Sequence, residues 1–83
     1  MNREIYWGTI CWDGYDEYTE GEYTITRHSL NNLLEDVEYY MDYFKGRYPY
    51  VECASREIDH IETDITILVQ EFIKNKTEEI NGK

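Results

Sequence analysis

Residues 29–46 read SLNNLLEDVEYYMDYFKG, and this segment has the local signals of an amphipathic helix. Ser29 suits the N-cap, and Gly46 suits the position just after the last turn. Apolar side chains recur between them at spacings of three and four residues, so they share one stripe of a helix. They are Leu30, Leu33, Leu34, Val37, Met41 and Phe44. We therefore predict a helix over 29–45 that buries this stripe.

The opposite face of this predicted helix carries acids and tyrosines and no lysine or arginine. Tyr39 points almost directly away from the apolar stripe, with Glu35, Asp36, Asp42 and Tyr43 beside it. Carboxylates spaced by a helical turn imitate the regular charge of a phosphate backbone, and tyrosines stack on arginine. The face is therefore either an ordinary solvated surface or a binding surface for a basic partner.

The N-terminal segment predicts a β-hairpin. Residues 4–12, EIYWGTICW, are rich in aromatic and β-branched types, and residues 22–27, EYTITR, alternate as a half-exposed strand does. Asp13-Gly14 between them is a strong turn dipeptide. The tip would be acidic and rich in tyrosine, and it provides a second group of candidate binding residues. These are Tyr15, Asp16, Glu17, Tyr18 and Glu20.

The C-terminal half predicts a second helix over roughly 56–79, with Ser55 as its cap. The apolar residues at helical spacing are Ile58, Ile61, Ile65, Leu68 and Phe72. Residues 51–54 have the composition of a short third strand. A strand over 64–69, DITILV, competes with the helix because it is rich in β-branched residues. Ile67 distinguishes the two, since a helix turns it away from the stripe and a strand buries it.

The predicted fold class is α+β. An N-terminal antiparallel β-hairpin, with or without a third short strand, packs against two amphipathic helices, and 83 residues form a single domain. The expected core consists of Ile5, Trp7, Ile10, Ile25, Leu30, Leu33, Leu34, Val37, Met41, Phe44, Ile58, Ile61, Ile65, Leu68, Val69 and Phe72.

Composition narrows the class of partner. Eighteen acids against eight bases give a formal charge of −10, so nucleic acid and anionic membranes are repelled and a basic protein is attracted. The alternative is that this charge only confers solubility. The sequence contains neither a membrane-spanning run nor the features of a signal peptide, and we therefore expect a cytoplasmic protein with free thiols at Cys11 and Cys53.

The sequence holds no recognisable catalytic or cofactor motif. Zinc-type donors occur, but not in the close pairs typical of zinc sites. They are Cys11, His28, Cys53 and His60. Glu57, Asp59 and His60 have no supporting motif, and a chain of 83 residues leaves little room for the sheltered pocket that acid–base chemistry needs. We therefore expect a non-enzymatic protein with no metal and no cofactor.

A short, strongly acidic, tyrosine-rich chain without a catalytic motif resembles the small inhibitors encoded by phages, particularly anti-CRISPR proteins and other nucleic acid mimics. The resemblance is one of type, and no motif matches residue by residue. It implies a monomer or homodimer in the host cytoplasm that blocks a basic nucleic-acid-binding surface of a Cas effector or another nuclease.

Two other functions remain open. One is an interaction module, such as an antitoxin, immunity protein or subunit, that binds through an apolar surface around Trp12, Tyr6 or Ile67. The other is a metal-dependent enzyme.

Overall fold

The chain folds into one antiparallel sheet and two helices. A computed structural model describes residues 3–13 and 21–81, with side chains as far as Lys76. The elements are β1 (Glu4–Trp12), β2 (Gly21–Arg27), α1 (Leu30–Tyr43), a 3₁₀ turn (Lys45–Arg47), β3 (Tyr50–Ile58), β4 (Ile61–Asp64) and α2 (Thr66–Asn81). The predicted α+β class with an N-terminal hairpin is confirmed, and the sheet has four strands.

The strand order is β2-β1-β3-β4, so the first strand lies in the middle of the sheet. β2 pairs along its whole length with residues 6–12 of β1, from Tyr6 opposite Arg27 to Trp12 opposite Gly21. On its other edge β1 pairs with β3, and the register shifts after Thr9, which faces Cys53 while Ile10 faces Val51. The extra residue at this β-bulge is Glu52.

Both helices lie on one face of the sheet, the covered face. α1 packs on β1 and β2, and α2 packs on β3. The buried hydrophobic residues are Tyr6, Ile10, Ile25, Leu33, Val37, Val51, Ala54, Ile65 and Val69. Gly8 lies on the covered face, where an added Cβ would make ordinary contacts, 3.5 Å from the Cβ of Ala54 and 3.8 Å from a Leu33 methyl.

The predicted core is partly confirmed. Six of its members are buried: Ile10, Ile25, Leu33, Val37, Ile65 and Val69. Eight are half-buried: Ile5, Trp7, Leu30, Leu34, Met41, Phe44, Ile58 and Phe72. Ile61 and Leu68 were wrongly assigned, since they are 70% and 46% exposed. Three residues outside the predicted core are also buried: Tyr6 on β1, and Val51 and Ala54 on β3, which is a full-length strand.

The predicted second helix is wrong over its first ten residues. Residues 56–58 complete β3, and residues 61–64 form β4, joined to β3 by Asp59 and His60, both with positive φ. Two residues of this kind make a type I′ turn, which suits the twist of an antiparallel pair. Ile58 and Ile61 are therefore partners across a hairpin. Their spacing of three imitates a helical repeat.

From residue 66 onward the helix prediction is confirmed, and the competing strand over 64–69 is wrong. Ile67 is 72% exposed, as a helix requires. Ser55 is not the cap, because it lies buried within β3. Instead, the Thr66 N–H donates to the Asp64 carboxylate at 2.8 Å, and the Thr66 hydroxyl bonds both backbone groups of Ala54. These contacts tie the start of α2 to β3.

The predicted cap of α1 is confirmed, but its predicted end is not. Ser29 Oγ accepts from the Asn32 N–H at 3.1 Å. The α-helix ends at Tyr43, and Gly46 lies inside the following 3₁₀ turn. The residue with a left-handed backbone conformation after this turn is Tyr48, with φ of 55°. Within the described residues, neither helix combines the length and apolarity that crossing a membrane requires.

Candidate protein-interaction surfaces

The outward face of α1 presents four of its predicted binding residues to solvent. Glu35, Tyr39, Asp42 and Tyr43 are all exposed, and we call them the α1 surface. Tyr39 and Tyr43 leave 61% and 67% of their area accessible, which is high for such large apolar rings. The sequence predicted this placement because helix geometry alone fixes which side chains point away from the stripe.

Two cations from outside α1 lie beside acids of its outward face. Asp36 forms an ion pair with Arg27 of β2, with both side chains more than half buried. Lys45 Nζ lies 3.9 Å from Asp42 Oδ1, in an exposed pair that contributes little. Asp36 therefore fastens the helix to the sheet, and it is less exposed than the four residues of the α1 surface.

A chain of aromatic rings runs beneath the α1 surface. Trp12 and Phe44 stack face to face at a centroid distance of 3.9 Å, and Phe44 contacts Tyr43 at 4.7 Å. Tyr40 lies 5.0 Å from Tyr39, edge to face, and 5.0 Å from Tyr23 of β2. A hydrogen bond with Tyr23 raises the pKa of Tyr40, so its phenol is neutral at physiological pH. The outer tyrosines therefore rest on a packed aromatic layer, which limits their freedom before binding.

A groove of about 670 Å³ lies between the two helices. Met41, Pro49 and Ile73 provide apolar lining. The rest of the lining consists of Tyr39 and charged residues, and it includes three members of the α1 surface. These other lining residues are Glu35, Glu38, Tyr39, Asp42, Lys45 and Lys76. The α1 surface thus borders a concave site as well as a convex helix face.

The face of the sheet opposite the helices is a second surface, the outer sheet face, which the sequence analysis missed. Strand register and contacts assign its residues. They are Ile5, Trp7, Thr9, Cys11, Glu22, Thr24, Thr26, Tyr50, Glu52, Cys53, Ser55, Glu57, Glu62 and Asp64. Alternation within 50–64 was the signal for it, and the predicted second helix concealed that signal.

Three acidic residues of the outer sheet face belong to β3 and β4. Glu57 is directly opposite Glu62 in the strand pairing. The Ser55 hydroxyl lies 3.1 Å from both a Glu62 oxygen and the Thr63 carbonyl. Hydrogen bonds from Thr66 hold the pKa of Asp64 below its usual value, and so this carboxylate stays ionised.

The same face carries a sulfur beside two carboxylates. The ligand atoms of Cys11, Glu22 and Glu52 lie within 4.8 Å of one another. Burial, followed by the hydrogen bond to Glu52, raises the pKa of Cys11 to about 11, so at neutral pH its thiol donates to Glu52 at 3.1 Å. These ligand types suit Zn²⁺, although a metal would first have to displace the thiol proton.

The four zinc-type donors noted in the sequence do not form one site. Cys11 pairs with Tyr50 at one end of the sheet. At the other end, His28 forms a hydrogen bond with the Glu4 carbonyl, and His60 lies in the turn after Ile58. Cys53 lies between them in β3, and both cysteines are free thiols.

The predicted binding residues at the hairpin tip fall in residues 14–20, outside the described residues. They are Tyr15, Asp16, Glu17, Tyr18 and Glu20.

Comparison with protein-family models, with curated proteins and with solved structures finds no significant match to this chain. Function therefore has to be inferred from the surfaces described above.

Proposed function

We propose that this protein is a non-enzymatic inhibitor that occupies a basic nucleic-acid-binding surface of a partner protein, in the manner of an acidic nucleic acid mimic. A Cas effector or another nuclease has the required surface. The observation that carries the proposal is the α1 surface, where the exposed tyrosines Tyr39 and Tyr43 lie beside the exposed acids Glu35 and Asp42.

The chemistry of this surface suits a partner that binds phosphates. Such a partner exposes lysine and arginine along a channel, and carboxylates one or two helical turns apart can pair with them. The rings of Tyr39 and Tyr43 stack at a centroid distance of 6.4 Å and offer flat area to an arginine. The formal charge of −10 adds long-range attraction, which raises the association rate.

Charge reversal on α1 tests the proposal. Cleavage and DNA binding by a panel of purified Cas effectors and phage-restricting nucleases would be measured with increasing amounts of this protein. For a nuclease that is inhibited, Glu35→Lys/Asp42→Lys should raise the inhibitory concentration about tenfold or more, since each lost charge contact contributes on the order of 1 kcal/mol. Inhibition should also weaken steeply as salt rises.

The control for net charge is the exposed acid Glu71 of α2, whose reversal changes the charge in the same sense, by half as much as the double variant, and away from the α1 surface. Glu71→Lys should leave inhibition within about twofold of the starting protein. If the α1 double variant inhibits as well as this control, or if no nuclease in the panel responds, the proposal fails.

A second candidate function is an interaction module that binds through apolar side chains. Of the three residues that suggested it, Tyr6 is buried and Trp12 is half-buried against Phe44, whereas Ile67 is 72% exposed. Leu68 next to it is 46% exposed. Binding through these residues should change little with salt, and Ile67→Glu should abolish it.

A further inference from the structure

The outer sheet face combines an aromatic centre with an acidic surround. Trp7 is half-buried on β1, and the carboxylates of this face come from β2, β3 and β4. They are Glu22, Glu52, Glu57, Glu62 and Asp64. The described strand residues of this face include no lysine or arginine, and Arg3 precedes β1 beside Asp59 at the far end. Arg27 and Arg56 point to the covered face, where their pairing partner Tyr6 is buried.

Folding gains nothing from the opposition of two of these acids. Glu57 and Glu62 face each other directly across β3 and β4, and like charges in that arrangement destabilise a strand pair. A lysine at either position would give a favourable pair instead. The sheet therefore keeps a local repulsion that an incoming cation would relieve.

A depression of about 350 Å³ lies beside Trp7. Glu62 and Asp64 line it together with Ser55 and Thr66. A flat ring next to two carboxylates is the environment that suits a guanidinium group, which stacks on its face and pairs through its edge. Lysine fits less well, because its compact ammonium is strongly hydrated and does not stack.

We propose that the outer sheet face binds an arginine-rich segment of another protein, with one guanidinium stacked on Trp7 and paired with Glu62 and Asp64. This site is distinct from the α1 surface, because the sheet itself separates the two. A second copy of this chain docked face to face is disfavoured, since acids would meet acids. The protein then has two surfaces for basic partners, on opposite sides.

The test uses the whole 83-residue chain, labelled with ¹⁵N and carrying Glu35→Lys/Asp42→Lys so that binding at the α1 surface is suppressed. An oligo-arginine peptide and an oligo-lysine peptide of equal length are titrated in separately. The arginine peptide should shift the indole N–H signal of Trp7 and the backbone amides of β3 and β4. It should bind about fivefold or more tightly than the lysine peptide.

Two variants locate the contact. Glu62→Lys should weaken binding of the arginine peptide by about tenfold or more, because it replaces attraction by repulsion. Trp7→Val should weaken it by about fivefold, and the amide spectrum of each variant shows whether the fold is intact. Glu71→Lys serves again as the control for net charge.

Four results would overturn the assignment: shifts confined to the helices, equal affinity for the two peptides, unchanged binding by folded Glu62→Lys, or no binding. Shifts of the outer sheet face that depend on protein concentration alone would identify a second copy as its occupant. None of these results bears on nuclease inhibition through the α1 surface, because that surface is already reversed in the tested protein.

Discussion

The repulsion between Glu57 and Glu62 leads to a quantitative prediction about stability. Directly opposed side chains in an antiparallel pair have Cβ atoms about 5 Å apart, and two unit charges at that distance in water interact by roughly 0.8 kcal/mol. Glu62→Lys converts the repulsion into an attraction. It also removes a hydrogen bond from the Ser55 hydroxyl, which keeps the Thr63 carbonyl as an acceptor.

We expect Glu62→Lys to increase the free energy of unfolding by about 0.5–1 kcal/mol after screening and side-chain ordering are allowed for. For a domain of this size that corresponds to a rise of roughly 2–8 °C in the unfolding midpoint. Far-UV circular dichroism during heating measures it. A substitution that stabilises the fold and weakens binding of arginine would separate the two roles of this residue.

The electrostatic origin of the effect has its own test. Glu57→Lys/Glu62→Lys restores a like-charge pair, so its midpoint should fall back toward that of the starting protein. In about 1 M salt, where the screening length is near 3 Å, the gain from Glu62→Lys should largely disappear. A lower midpoint for Glu62→Lys, or a gain that persists in the double variant and in high salt, would refute the reasoning.

Two further predictions concern the thiol and the type I′ turn. Alkylation of Cys11 by iodoacetamide at pH 8 should be about a hundredfold slower than that of a thiol of ordinary pKa, because the shift from 9.0 to about 11 lowers the thiolate fraction by that factor. Peptide mass spectrometry measures the alkylation rate, and an ordinary rate at pH 8 would contradict the raised pKa. The raised pKa also means that Cys11 stabilises the fold below pH 9 and that this contribution is lost as the pH rises toward 11. His60→Gly should raise the unfolding midpoint, since relief of a positive φ of 70° outweighs the added entropy of the unfolded chain by about 0.5 kcal/mol. An unchanged or lower midpoint in the same thermal assay would show that the turn is unstrained.

The N-terminal half of the fold was predictable because its signals are local. The Ser29 cap, the stripe through Leu33 and Val37, and the alternation of 22–27 each act within a few residues. The outward direction of Tyr39 and Tyr43 followed from the same helix geometry. These inferences needed no knowledge of what the helix packs against.

The errors arose where one pattern fits two structures. Ile58 and Ile61 are three apart in both a helix and a tight hairpin, and Asp59-His60 lacks the glycine that usually marks a type I′ turn. The pairing of Asp36 with Arg27 joins elements that only the tertiary fold brings together. The outer sheet face depends on the register of β3 against β1, and no local property of residues 50–64 sets that register.

The strand order also has a consequence for synthesis of the chain on the ribosome. β1 and β2 are close in sequence, so their hairpin can form early, but the second edge of β1 pairs only with β3, which ends at Ile58. At about 5–20 residues per second, the ribosome needs several seconds to supply that strand. During that interval the unpaired edge of β1 and its aromatic side chains are open to pairing with other nascent chains. The strong negative charge of the chain opposes such association and protects the protein before it is folded.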